Sequence, residues 1–359
     1  MSMVKMSNMK KVVTLPDLKE KFQAIFEDNE ESLKIFGMTY TPQIKAYLIE
    51  NNNCTPDDAK CPLGFWKRIE STDWYTNYHV TQDQNLSDTF FLDTSRQRIW
   101  ILYSLLDVNQ SDFLVKNWIN NKLGLDRCWL TRNHLLHWDY PDSSWKQRGV
   151  GIKFSDGLYP EDEAANFSLK AWYGASRKIP QLVSVIDQAK ENFAIHSVRW
   201  QKSNESSVTL SEEWYSQGKV TINRGTDTDE ALLSIGEMAT LYLQSIKDAD
   251  KLKVSSLGAF ELNFSQEIDI NSFSTVVSKG IGDMRLWLVE TETDGDFKRF
   301  KGVDLHTWDR IAIDVGPDYA YLTIPQKACV NAVPRIAAIQ GEDNAGKISI
   351  LHDGVEVFA

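Results

Sequence analysis

Arg310-Ile311-Ala312-Ile313-Asp314-Val315 carries the plainest structural signal in the chain. Ile311, Ile313 and Val315 recur at every second position against Arg310, Ala312 and Asp314, the period of a strand with one dry face and one wet face. Working outward, Ala320–Ile324, Met284–Val289, Phe260–Phe264 and Lys347–Leu351 are further strand candidates. Helical pieces are expected over Asn271–Lys279 and after Gln326, the latter bent or ended near Pro334. Strands and helices in that order make residues 255–359 an α+β unit.

Residues 148–254 show the same mixture. Gly151–Phe154, Phe167–Trp172, His196–Trp200, Ser207–Leu210 and Lys219–Asn223 read as strands. After Ser176, Ile179, Leu182, Ile186, Ala189 and Phe193 share a helical face, and a second helix follows from about Thr228 with Leu232, Ile235, Ala239, Tyr242 and Ile246 inward. Thr226 and Asp229 offer it a capping pair. Residues 1–147 are mixed and rich in aromatics. One helix carries Leu18, Phe22, Ile25 and Phe26; another, with Ser111 as N-cap, carries Leu114, Trp118 and Ile119 and stops before Gly124. Asn51–Pro62 reads as an exposed loop, and Arg98–Leu106 fits a buried strand or a short helix equally well. The expected fold is α+β: a mixed N-terminal unit, then two small α+β units with largely antiparallel sheets and helices on one face.

At 359 residues the chain exceeds the size at which a single core stops growing, which supports several units. The longest apolar run, Ile99–Leu106 broken by Ser104, falls short of a membrane span, and Met1–Lys11 lacks the apolar centre of a signal peptide. A cytoplasmic location and no membrane association are therefore expected. Cys54, Cys61, Cys128 and Cys329 match no zinc or redox spacing and read as free thiols. Of the net charge of −11, residues 255–359 hold −7, from nine Lys and Arg against 16 Asp and Glu. No basic stripe is visible, which lowers the case for nucleic acid and favours a protein partner with a basic surface.

The motifs are sparse. Asp304-Leu-His306, with Asp309 after it, has the D-x-H order that can open a metal site, but no later partner elements follow. A hairpin with solvated polar residues is the preferred reading there. His134 and His137 could share a helical face, and Arg127 with His134 has the spacing of an R-x4-6-H ribonuclease pair, although half-buried structural histidines explain them as well. There is no G-x-S-x-G elbow, and Gly280-Ile-Gly282 lacks what a phosphate loop or dinucleotide site requires. Tryptophan stands out instead, with 12 in all and the densest aromatic stretch around Trp66, Trp74 and Tyr75. Those rings suit a contact surface, with core packing as the alternative.

These signals point to a non-catalytic interaction or regulatory component of a cytoplasmic assembly, with no cofactor, no metal and no catalytic residue. The alternative is a metal-dependent hydrolase or nuclease using Asp304, His306 and Asp309, or Arg127, His134 and His137. A module that stacks glycans or bases on Trp66 and Trp74 is a further one.

Overall fold

The structure is a computed structural model that describes residues 11–36, 43–79, 86–136, 144–155, 166–172, 181, 193–204, 207–255, 259–265, 267–278, 283–343 and 348–358. Eleven strands form the first sheet: β1 (Lys45–Asn51), β2 (Phe65–Arg68), β3 (Trp74–Tyr78), β4 (Phe90–Asp93), β5 (Ile99–Ser104), β6 (Leu125–Arg127), β7 (Trp145–Ser155), β8 (Asn166–Trp172), β9 (Phe193–Ser203), β10 (Val208–Tyr215) and β11 (Lys219–Gly225). Their order is β2-β3-β4-β5-β1-β11-β10-β9-β7-β8, with β6 also pairing β1. The second sheet holds β12 (Ala259–Phe264), β13 (Leu286–Asp294), β14 (Phe297–Asp304), β15 (Asp309–Val315), β16 (Tyr319–Thr323), β17 (Ile348–His352) and β18 (Val355–Glu356), in the order β13-β14-β15-β16-β12-β17-β18. Both sheets are antiparallel in every described pairing. The helices are α1 (Leu15–Phe36), α2 (Pro56–Ala59), α3 (Val108–Asn120), α4 (Arg132–Leu136), α5 (Thr228–Ser255), α6 (Ile270–Ser278) and α7 (Ala332–Asp343). The fold is α+β, and the position between 147 and 148 falls inside β7.

The centre of the first sheet is covered on both faces. Ala46, Leu48, Ile99, Ile101 and Tyr103 point into a core shared with α1 and α5. Tyr47, Ile49, Trp100 and Leu102 point the other way, against Val115, Trp118 and Ile119 of α3. Two-sided burial removes the polar positions that would have marked the strand, which is why Arg98–Leu106 shows no alternation. The second sheet keeps one wet face, and β15 alternates as its residues require, with Ile311, Ile313 and Val315 buried. Its buried side joins the same core as α5 and the first sheet, so one continuous apolar interior links the two sheets.

Several boundaries differ from expectation for local reasons. α3 starts four residues before the expected first turn because Asp107, not Ser111, caps it: the Asp107 carboxylate accepts the Gln110 N–H at 3.0 Å. Ser111 lies inside the helix and its hydroxyl donates to the Asp107 carbonyl. At α5 the cap is Asp227, which accepts from Asp229 N–H at 2.8 Å. Pro334 sits in the first turn of α7, where a missing N–H costs nothing, so the helix begins there instead of ending. Phe193 opens β9, and the helix expected over Ile179, Leu182, Ile186 and Ala189 lies outside the described residues. None of the described helices is long and apolar enough to cross a membrane.

Candidate functional site

β1 places a carboxylate where its neighbours are apolar. Glu50 stands on the same face as Ala46 and Leu48, opposite Ile99 of β5 and Asp126 of β6, and is fully buried. An ionised carboxylate in such a place must be paired. The Arg98 Nε donates to Glu50 Oε1 at 3.0 Å, and the Arg98 guanidinium also bonds Asp250 near the end of α5.

The β14–β15 hairpin supplies the second group. Its turn folds on Asp304, whose carbonyl accepts from Trp308 N–H at 2.7 Å and whose Oδ1 accepts from His306 N–H at 3.0 Å. Trp308 takes a left-handed φ of 62° to close it. Unlike the solvated hairpin expected from sequence, this turn is driven into the protein: His306 is 0 % exposed and Asp304 is buried. Gly124 anchors it, donating its N–H to the His306 carbonyl at 2.8 Å while its own carbonyl accepts from Asn52 at 2.7 Å. At φ +84°, with Cys54 Sγ and the Asn52 carbonyl 2.7 and 2.9 Å from where a Cβ would stand, that position admits only glycine without strain.

Cys329 arrives from the segment that leads from β16 into α7. Its thiol donates to Glu50 Oε1 at 3.3 Å and lies 3.7 Å from Arg98 Nη2. The ligating atoms of Glu50, His306 and Cys329 all fall within 4.8 Å of one another, and all three residues are buried. Glu50 Oε2 and His306 Nε2 form an ion pair at 3.1 Å that lacks hydrogen-bond alignment; burial acts to lower the imidazole, but Glu50 and Cys329 beside it hold it well above its usual range.

Electrostatics sharpen the picture. Burial acts to raise the Glu50 carboxyl, but His306 and Arg98 beside it outweigh that and hold it below the usual range. Burial, then Glu50, raises the Cys329 thiol. Next to this cluster, Arg335 is fully buried between Asp126, which it bonds through Nη1, and Asp304 Oδ1, 2.6 Å from Nη2. Asn331 donates to Asp126 at 2.9 Å and accepts from the Tyr242 hydroxyl at 2.6 Å. The segment carrying Cys329, Asn331 and Arg335 thus pins the second sheet to the first at the cluster.

A cleft of about 780 Å³ opens over this junction. Its walls come from the Asn51–Pro56 loop, Gln97 and Arg98, Asp250 and Lys253 of α5, and Gln326–Cys329. Arg98 and Cys329, which line it, both contact Glu50; Glu50 and His306 are fully buried and do not line it. The loop is held open by Asn51, whose side chain donates to the carbonyls of Cys54 and Gln97 and accepts from Cys54 N–H at 2.8 Å. Asn51–Pro62 is exposed at Asn53, Thr55, Asp57, Asp58 and Lys60 as expected, and it also carries α2, for which Thr55 and Asp58 form a capping box.

Residues 6–343 match the MJECL33-like protein family. The chain belongs to that family. No curated protein matches it.

In this MJECL33-like protein the residues singled out from sequence separate. His306 joins the cluster, while Asp304 turns to Arg335 and the half-buried Asp309 pairs with Asp304 across the hairpin. Arg127 bonds Gln217 and lies 3.8 Å from Asp283. His134 is buried in α4, with Nδ1 on Thr131 and Nε2 3.1 Å from the Ser245 hydroxyl, and burial lowers it to about 4. It is a neutral structural histidine; His137 lies outside the described residues. Trp74 stacks on Tyr103 at 5.4 Å, Trp66 packs edge-on to Trp118 at 6.4 Å, and Tyr75 is half-buried against the α3-side core. Phe65, 64 % exposed, and Tyr78 are the open rings of that hairpin. Glu50 and Cys329 were not singled out from sequence; the one signal for Glu50 is a carboxylate inside the apolar string Ala46-Tyr-Leu-Ile-Glu50.

Proposed function

We propose that this MJECL33-like protein is a metal-dependent hydrolase whose ion is held by Glu50, His306 and Cys329 beside the cleft. The observation that carries the reading is the convergence of three buried ligand side chains whose donor atoms all lie within 4.8 Å of one another. Three protein ligands leave a coordination position for water, the pattern of catalytic rather than structural zinc. Thiolate, imidazole and carboxylate together favour zinc and similar transition metals over magnesium or calcium. Such an ion would lower the pKa of bound water to about 7 and so supply a hydroxide for hydrolysis, in which water adds across the bond to the leaving group. Arg98, beside the cluster and on the cleft wall, is placed to offset negative charge that develops on the substrate.

Metal analysis after zinc reconstitution, paired with an ester and phosphoester screen, tests this. Glu50→Gln, His306→Ala and Cys329→Ser are expected to lose metal and activity together. Full metal content in His306→Ala would remove the reading.

A partner-binding role is the second reading, and a different surface favours it. Trp287, 63 % exposed, and Val289 form part of an apolar groove of about 440 Å³ on the outer face of the second sheet. Lys301 and Arg310 line the groove itself, and Asp294 and Asp296 are exposed at the far β13–β14 turn, so a partner there meets an apolar seat with cations beside it. Pull-down from host lysate with Val289→Lys as control tests it: a partner recovered equally by both proteins argues against this face.

A further inference from the structure

The cleft reverses the sign of the molecule around it. Arg98, Lys253 and Lys327 line it against the single carboxylate Asp250, an excess of two positive charges in a chain whose net charge is −11. The excess is built in. Lys253 is buried, with its ammonium fixed between the Ala328 carbonyl and Asp250 Oδ1, so that charge cannot swing away into solvent. Both Asp250 oxygens are already committed, Oδ2 to Arg98 and Oδ1 to Lys253. Lys327 is exposed beside them and free to reach over the opening. A divalent ion on the Glu50 carboxylate and the Cys329 thiolate adds no net charge, so the excess survives when the metal centre is filled.

Positive charge fixed in a concave site gathers anions. The amides of Gln97 and Gln326 stand on the same walls and supply N–H donors. We infer that the substrate of this cleft is a phosphate monoester, seated with its phosphate between Arg98, Lys253 and Lys327. A monoester carries about −1.5 to −2 at neutral pH and matches the excess, whereas a carboxylate leaves about one positive charge uncompensated in the cleft. A cleft of about 780 Å³ also accommodates a ligand as large as a nucleotide.

This substrate class rests on the hydrolase reading, but the phosphate seat itself needs no ion. The full chain is therefore titrated calorimetrically with inorganic phosphate, once zinc-loaded and once after chelator treatment, with acetate as the competing anion. Phosphate is expected to bind both forms and acetate far less. Lys327→Glu, an exposed change that leaves the fold alone, is expected to weaken phosphate roughly tenfold, an effect that shrinks as salt is added. No phosphate binding, acetate equal to phosphate, or an unchanged Lys327→Glu overturns the inference. Phosphate binding in protein that never takes up metal keeps the seat and removes the hydrolase reading; metal uptake without phosphate binding does the reverse.

Discussion

Glu50 and Asp126 stand opposite one another across the β1–β6 pair, buried to the same degree, and yet their surroundings differ in kind. Asp126 is saturated: Arg335 and Asn331 bond it directly, and Arg285 lies 3.9 Å away. What stays unpartnered in that network is one atom each of Asp304 and Arg335, groups bonded through their other atoms. At Glu50, by contrast, one oxygen is bonded by Arg98 and the other lies 3.1 Å from His306 Nε2, an ion pair without hydrogen-bond alignment. The first cluster is a pin between the two sheets, and the second is the one we propose as a metal receptor. On that proposal burial of charge alone does not mark function; a set of converging ligand atoms does.

The largest effect expected of that contrast is on the pin. Arg335→Met leaves Asp126 and Asp304 buried without their cation and should cost about 3–5 kcal/mol in urea unfolding. A loss below about 1 kcal/mol would mean that the pin bears little of the junction. Cys329→Ser, in the receptor, should change the stability of metal-free protein by less than about 1 kcal/mol.

A second expectation concerns acid. His134 is held neutral, its folded value of about 4 lying below the unfolded value of about 6.5. Its contribution is complete above pH 6.5 and is lost as pH falls toward 4, on the order of 3 kcal/mol over that window. His134→Gln should flatten this stretch of the stability–pH curve; a curve unchanged by the substitution contradicts the assignment. Zinc comes next: at a hundredfold excess over its Kd it should stabilise the wild-type chain by about 2.7 kcal/mol and leave Cys329→Ser unmoved. The smallest effect belongs to the aromatic hairpin, where Phe65→Ala should stay within about 0.5 kcal/mol while Trp66→Ala costs about 3 kcal/mol, because only Trp66 is packed.

How much of this was legible in the sequence follows from the same contrast. The strand at Arg310–Val315 could be read because one of its faces is wet, and the run at Arg98–Leu106 could not because both of its faces are dry. One of the three site residues was visible. Asp304-Leu-His306 drew notice as a possible ligand pair, and His306 does enter the cluster. Glu50 and Cys329 stand 279 positions apart along the chain, and no local spacing encodes such a meeting. In the aromatic stretch, conspicuous in sequence, Trp66 packs edge-on to Trp118 and Trp74 stacks on Tyr103.

Zinc content and coordination of the full chain, read by elemental analysis with X-ray absorption at the zinc edge, test the receptor most directly. The expected result is close to one zinc per chain with a sulfur in its shell, lost in Cys329→Ser and in His306→Ala. Wild-type protein that stays zinc-free after reconstitution, or a zinc shell untouched by either substitution, would contradict it.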